Sequence, residues 1–168
     1  MANSKAIRTE AKFQSLIKRD LELAGADVFN ICGGNSFQEA GYPDLLVSHR
    51  SLIHRSCWLE LKMHGGATRM IQTVKVRELL ARGSPAFILR LLNNGDVMFE
   101  DADKHRIWQL TGWRDLVEVW SNKAQRRERG HLLMEVINGA WKEWLKEWDD
   151  SKWDGHVDEE GDDGLIFP

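Results

Sequence analysis

Two short apolar runs do most to limit how this chain can fold. GYPDLLV (residues 41–47) and WLELK (58–62) are too short for helices and are flanked by polar or turn-forming residues, so both read as strands. HRSLIHRS (49–56) fits a turn with strand extensions, which makes the pair a hairpin and commits the chain to a sheet. A strand with one buried face carries few charges, yet Asp44 opens the first run and Glu60 and Lys62 stand in the second. Side chains alternate along a strand, so Glu60 and Lys62 share a face and Leu61 points the other way.

The flanking sequence supplies the remaining layers. Phe13, Leu16, Ile17, Leu21 and Ala24 fall at helical spacing, with Ser4 as a candidate N-cap and Gly25 as the stop. Asp27–Cys32 alternates like a strand, and GGNSFQEAGYP (33–43) is a loop. The spacing predicts a helix over Thr68–Arg82 that buries Met70, Val74 and Leu79 with Ile71 beside them, and Gly83 follows in the C-terminal position. Ala86–Leu92 is an apolar strand, Asn93-Asn94-Gly95-Asp96 a turn, and Val97–Glu100 a returning strand. Helix, three strands, helix and strand, with an added hairpin strand, describe a mixed α/β (α+β) sheet flanked by helices.

Beyond Asp101 the composition changes. Thr111–Ser121 and Asn122–Asp150 read as helices, the second with a break at Gly130. The segment 143–168 carries ten acids and two lysines, a net of −8, so with −3 for the whole chain the body carries +5. Three parts follow: a core over 1–100, a helical extension over 101–150, and an acidic tail over 151–168 too polar to order itself. No apolar run reaches the roughly 20 residues of a membrane helix, and no secretory signal is visible, so a cytoplasmic location is expected, with no membrane partner. Cys32 and Cys57 lack metal-type spacing and read as buried free thiols. A mildly basic body permits nucleic-acid binding without requiring it.

If Asp44 meets Glu60 across the hairpin, two carboxylates converge and repel unless a cation neutralises them. Few, hard oxygen ligands suit Mg²⁺, and an adjacent lysine can orient the water for attack on a phosphodiester. Each residue also has an ordinary reading: Asp44 as a strand start, Lys62 as a solvated strand end, Glu10 and Gln72 as helix surface, His64 as a loop residue. Lys5, Arg8, Lys12, Lys18 and Arg19 on the first helix, and Arg69, Lys75 and Arg77 on the second, either contact phosphate or form solvated faces. KAQRRERG (123–130) is either a DNA arm or an exposed helix side. The stripe Ile137, Trp141, Trp144, Leu145, Trp148 either docks on the core or stacks on bases and joins subunits.

Pro43-Asp44 followed by Glu60-Leu61-Lys62 resembles the signature of the PD-(D/E)XK nuclease superfamily, and the element order resembles its restriction-endonuclease-like core. The glycine-rich entry GGNSFQEAGYPDLLV, with Gln72 on the helix after the lysine and Gly83 closing it, is similar to the virus-type replication-repair (VRR-NUC) nucleases and to phage Holliday-junction resolvases. The likeness covers roughly residues 8–100. It implies that Asp44, Glu60 and the Leu61 carbonyl ligate Mg²⁺, for which Mn²⁺ substitutes. Lys62 would position the attacking water and the phosphate, Glu10 would hold a second ion or its water, and Gln72 would contact that water or the phosphate. It further implies cleavage of branched or flapped DNA in phage replication or recombination, in host-cell cytoplasm, by a homodimer. A restriction-type or linear-DNA nuclease, and a non-catalytic DNA-binding protein on the same fold, are the alternatives.

Overall fold

A computed structural model describes residues 7, 9–31, 41–103, 105–113 and 122–151. Its elements run α1 (Glu10–Leu23), β1 (Asp27–Asn30), β2 (Leu45–Ser48), β3 (Ser56–Met63), α2 (Met70–Ala81), β4 (Ala86–Leu91), β5 (Val97–Glu100), β6 (Arg106–Leu110) and α3 (Lys123–Ser151). The six strands form one mixed sheet in sequence order. Neighbours pair antiparallel except β3 and β4, which are parallel and joined by α2. The expected hairpin is β2–β3, with Leu45 opposite Leu59 and Val47 opposite Cys57.

Helix α1 starts later than the sequence suggests. Thr9 caps it, its hydroxyl accepting from the Lys12 amide at 3.2 Å, whereas Ser4 lies outside the described residues. Phe13, Leu16, Ile17 and Leu21 are buried as expected, and Asp20 is buried in the same stripe. Gly25 takes the left-handed conformation that ends the helix (φ 92°). The short strands read correctly because burial alternates along β2, while β4 is buried on both faces as one apolar run.

Three expectations need correction. Helix α2 buries Val76, Leu79 and Leu80, whereas Met70, Ile71 and Val74 are exposed. Helix α3 runs unbroken through Gly130, because that glycine marks a close helix crossing rather than a kink. A Cβ there would sit 2.6 Å from the Asp20 carbonyl carbon and 2.7 Å from Ala24 Cβ. Residues 106–110, left unassigned by the sequence, add the sixth strand. The helix expected over 111–121 falls mostly, and the acidic tail almost wholly, outside the described residues.

Side chains of α3 join the same apolar core as the sheet and α1: Leu133, Met134, Ile137, Ala140, Trp141 and Trp144 are all buried. Docking on the core therefore explains Ile137, Trp141 and Trp144, and Leu145 is exposed. Helix α3 also grips the β2–β3 turn. The Asn138 side chain accepts from the Ile53 amide (3.0 Å) and donates to the Ser51 carbonyl (2.8 Å), and His54 meets Trp141 edge-on. Cys57 is a buried free thiol whose pKa burial pushes upward, and Cys32 lies outside the described residues. Among the described residues no helix is long and apolar enough to cross a membrane.

Candidate active site

The hairpin register that sets Leu45 opposite Leu59 carries Asp44 toward Glu60. Asp44 is tied into the sheet, its Oδ2 accepting from the Leu61 amide at 2.8 Å. Glu60 is wholly buried and Lys62 nearly so. Lys62 Nζ lies 2.8 Å from Glu60 Oε1 and 3.2 Å from Glu10 Oε1, so α1 delivers its first residue to the lysine. From α2, Gln72 Nε2 donates to Glu60 Oε1, and Gln72 Oε1 accepts from the Arg69 amide at 3.0 Å. Helices α1 and α2, strand β3 and the residue just before β2 thus bring Glu10, Asp44, Glu60, Lys62 and Gln72 together. Within the protein, Gln72 bonds Glu60 directly. His64 is exposed.

The second oxygen of Glu60 sets the character of the place. Glu60 Oε2 is buried and has no hydrogen-bond partner among the described residues. An unpaired buried acceptor costs free energy, which a bound cation would recover. Together with Asp44 it forms an open pair of hard oxygen donors, a set that fits Mg²⁺. Among the described residues no three His, Cys, Asp or Glu side chains gather so as to hold a metal ion, so the candidate side-chain donors number two.

The titration of the site follows from burial. Burial, then the charge of Asp44, pushes Glu60 up to about 7, against the opposing pull of Lys62. Asp44 is also raised by burial, although the Leu61 amide and Lys62 favour its ionised form. Burial alone would lower Lys62, but its pairing with Glu60 and Glu10 outweighs that and raises it. The lysine therefore stays cationic at neutral pH, and Glu60 holds its proton to higher pH than an exposed glutamate does.

Between the ordinary value of 4.5 and about 7, the unfolded chain has released the Glu60 proton and the folded protein has kept it. The contribution of Glu60 to stability without metal is therefore expected to fall as pH rises through that window, by on the order of 3 kcal/mol. Glu60→Gln removes this term. In denaturant unfolding with chelator present, the variant is expected to gain on the wild type from pH 5 to pH 8. Parallel pH profiles for the two proteins would show that Glu60 is not the group responsible.

Several basic residues singled out in the sequence have partners within the protein. Arg129 is buried against Asp20 (Nη2–Oδ1 2.9 Å), so the run 123–130 is not a free arm. Arg77 meets Asp103, Lys75 meets Glu78 and lies over Tyr42, and Lys18 meets Glu22. Lys5 and Arg8 lie outside the described residues. The sequence reading missed Arg90 and Glu100, whose signal was present: one charge in each of two otherwise apolar strands, AFILRL and VMFE.

No protein-family model matches the chain, and no curated protein sequence matches it. Among solved structures it is similar to the Holliday junction resolvase Hjc of Archaeoglobus fulgidus. That likeness has 14% identity and a TM-score of 0.42, over 55% of this chain and 77% of the other.

Proposed function

We propose that the chain is a Mg²⁺-dependent DNA endonuclease, acting on branched or flapped DNA. The observation that carries this reading is the buried Glu60 carboxylate, with one oxygen unpaired, set beside Asp44 and held by Lys62. Asp44 and Glu60 would hold the ion, which when bound supplies Lewis-acid polarisation of a phosphate and lowers the pKa of water. Lys62 presents a cation within a dry wall of the site and can steady the scissile phosphate and the attacking water. Gln72 holds Glu60 at one oxygen and leaves the other for the ion. Glu10 holds the ammonium from the α1 side. Branched DNA is the substrate class that the sequence resemblance implies.

A panel of flaps, four-way junctions, single strands and linear duplex, incubated with Mg²⁺, tests the proposal. Cleavage of the branched members with 5′-phosphate products is expected. Binding without cleavage of any member would favour the non-catalytic alternative, and cleavage of linear duplex alone the restriction-type one.

The roles of the two helix residues separate in a Mg²⁺ titration of cleavage. Glu10→Gln is expected to raise the Mg²⁺ needed for half activity and Gln72→Ala to slow turnover, each by about 10- to 100-fold, as removal of groups that orient ligands usually does. Gln72→Glu should be worse than Gln72→Ala, because a carboxylate cannot donate to Glu60 and adds repulsion. Equal titration curves for all three variants and the wild type would return both residues to the helix surface.

A further inference from the structure

The connection between β3 and α2 carries the site on both sides: Lys62 precedes it and Gln72 follows it. It is only a few residues long and includes Gly65 and Gly66, the first in the left-handed conformation (φ 72°). So glycine-rich a link has little stiffness of its own. One side chain from the neighbouring strand pins it. Arg90 stands directly opposite Lys62 in the parallel β3–β4 register. Its Nη1 donates to the Met63 carbonyl (3.1 Å) and the Gly66 carbonyl (2.6 Å). Its Nε and Nη2 donate to the Glu100 carboxylate at 3.0 and 3.2 Å.

Both partners are largely buried, with side-chain exposures of 12% for Arg90 and 9% for Glu100. A planar guanidinium fixed by a bidentate carboxylate has a set direction for its remaining donors. Here that direction is the turn. The Gly66 amide closes the turn by donating to the Met63 carbonyl at 3.0 Å. Gly66 also stands beside the lysine stem, since a Cβ there would lie 3.9 Å from Lys62 Cδ. The turn then leads to Arg69, whose amide holds Gln72, which holds Glu60. A closed circuit results, from Glu60 through Lys62, the turn, Arg69 and Gln72 back to Glu60.

The geometry points to Arg90, oriented by Glu100, as a positioning residue for Lys62. It touches neither the carboxylate pair nor the ammonium. It acts by holding the turn against which the lysine stem lies. Arg90→Lys keeps the charge but has one nitrogen with three donors and no planar fork, so it cannot reproduce the two-nitrogen hold on Glu100 together with both carbonyl bonds. This role rests on the nuclease reading above.

The test is a double-mutant cycle in single-turnover cleavage of the branched substrate that the wild type cuts. Arg90→Lys is expected to slow cleavage tenfold or more at saturating DNA, with DNA affinity unchanged within twofold. Added to Lys62→Ala, the same change should cost nothing further, because there is no longer a lysine to position. A loss of the same factor in both backgrounds would overturn the inference, showing a general structural role, and so would an Arg90→Lys protein as fast as the wild type. If Arg90→Lys does not fold, Glu100→Gln, which loosens the fork but leaves it in place, is put through the same cycle with the same two overturning outcomes. A wild type that cuts nothing in the panel rejects the nuclease reading and this role with it. A wild type that cuts, with variants that fail the cycle, rejects this role alone.

Discussion

Asp44→Asn, Glu60→Gln and Lys62→Ala are each expected to slow DNA cleavage by roughly a thousandfold or more, equivalent to several kcal/mol in the barrier. The three losses have different origins. Asp44→Asn keeps an oxygen that can accept from the Leu61 amide, so the hairpin is preserved while the anionic ligand is lost. Glu60→Gln removes the charge from the oxygen that has no partner among the described residues. Lys62→Ala removes the cation proposed to steady phosphate and water. Circular dichroism and DNA affinity should stay close to wild type in all three, because none of these side chains fills the apolar core. Mg²⁺ or Mn²⁺ should support the wild-type reaction. Ca²⁺ should bind but support it poorly, since it is larger and accepts looser geometry. Full activity of tag-free Asp44→Asn protein would reject the assignment.

The second large effect is on stability, where α3 crosses α1. Arg129 and Asp20 are buried together, with exposures of 1% and 0%. Even with its partner, Asp20 is raised by burial, with Arg129 opposing the shift. Arg129→Ala strands that carboxylate in the core and is expected to cost about 3–5 kcal/mol. Gly130→Ala forces a methyl group into the Asp20 backbone and Ala24, and a cost of several kcal/mol is expected because backbone cannot step aside. Arg127→Ala, two residues away and exposed, should change stability by less than about 0.5 kcal/mol. Urea unfolding of the three variants measures the contrast, and an Arg129→Ala protein within 1 kcal/mol of wild type would show that the pair is dispensable.

The sheet and the heart of the site were legible because strand geometry repeats every two residues. That period alone puts Glu60 and Lys62 on one face, and hairpin pairing carries Asp44 toward them. Helix phase was harder. Helix α2 has apolar residues on two sides, and nothing local says that Val76, Leu79 and Leu80 face the sheet while Met70, Ile71 and Val74 do not. Strand β6 was hidden because, of its five residues, only Leu110 is buried, so no alternation marks it. Arg129 looked like its neighbours in RRER, and its partner lies 109 positions away. Gly130 misled for a related reason: the lack of a side chain served contact with another helix. Gln72 was found from resemblance, but its bond to Glu60 depends on how α2 is set against β3, which no short-range pattern records.

The grip of α3 on both α1 and the β2–β3 turn has a consequence for the protein's birth on the ribosome. The last of the five clustered residues, Gln72, is translated 79 residues before α3 ends at Ser151 (151 − 72). At roughly 5–20 residues per second, that interval lasts about 4–16 s. During it the nascent chain holds every residue of the site but lacks the helix that braces the hairpin turn and seats the helix bearing Glu10. Assembly of the cluster thus waits on synthesis of α3, and a stalled or truncated product ending before Arg129 carries the five clustered residues without that brace.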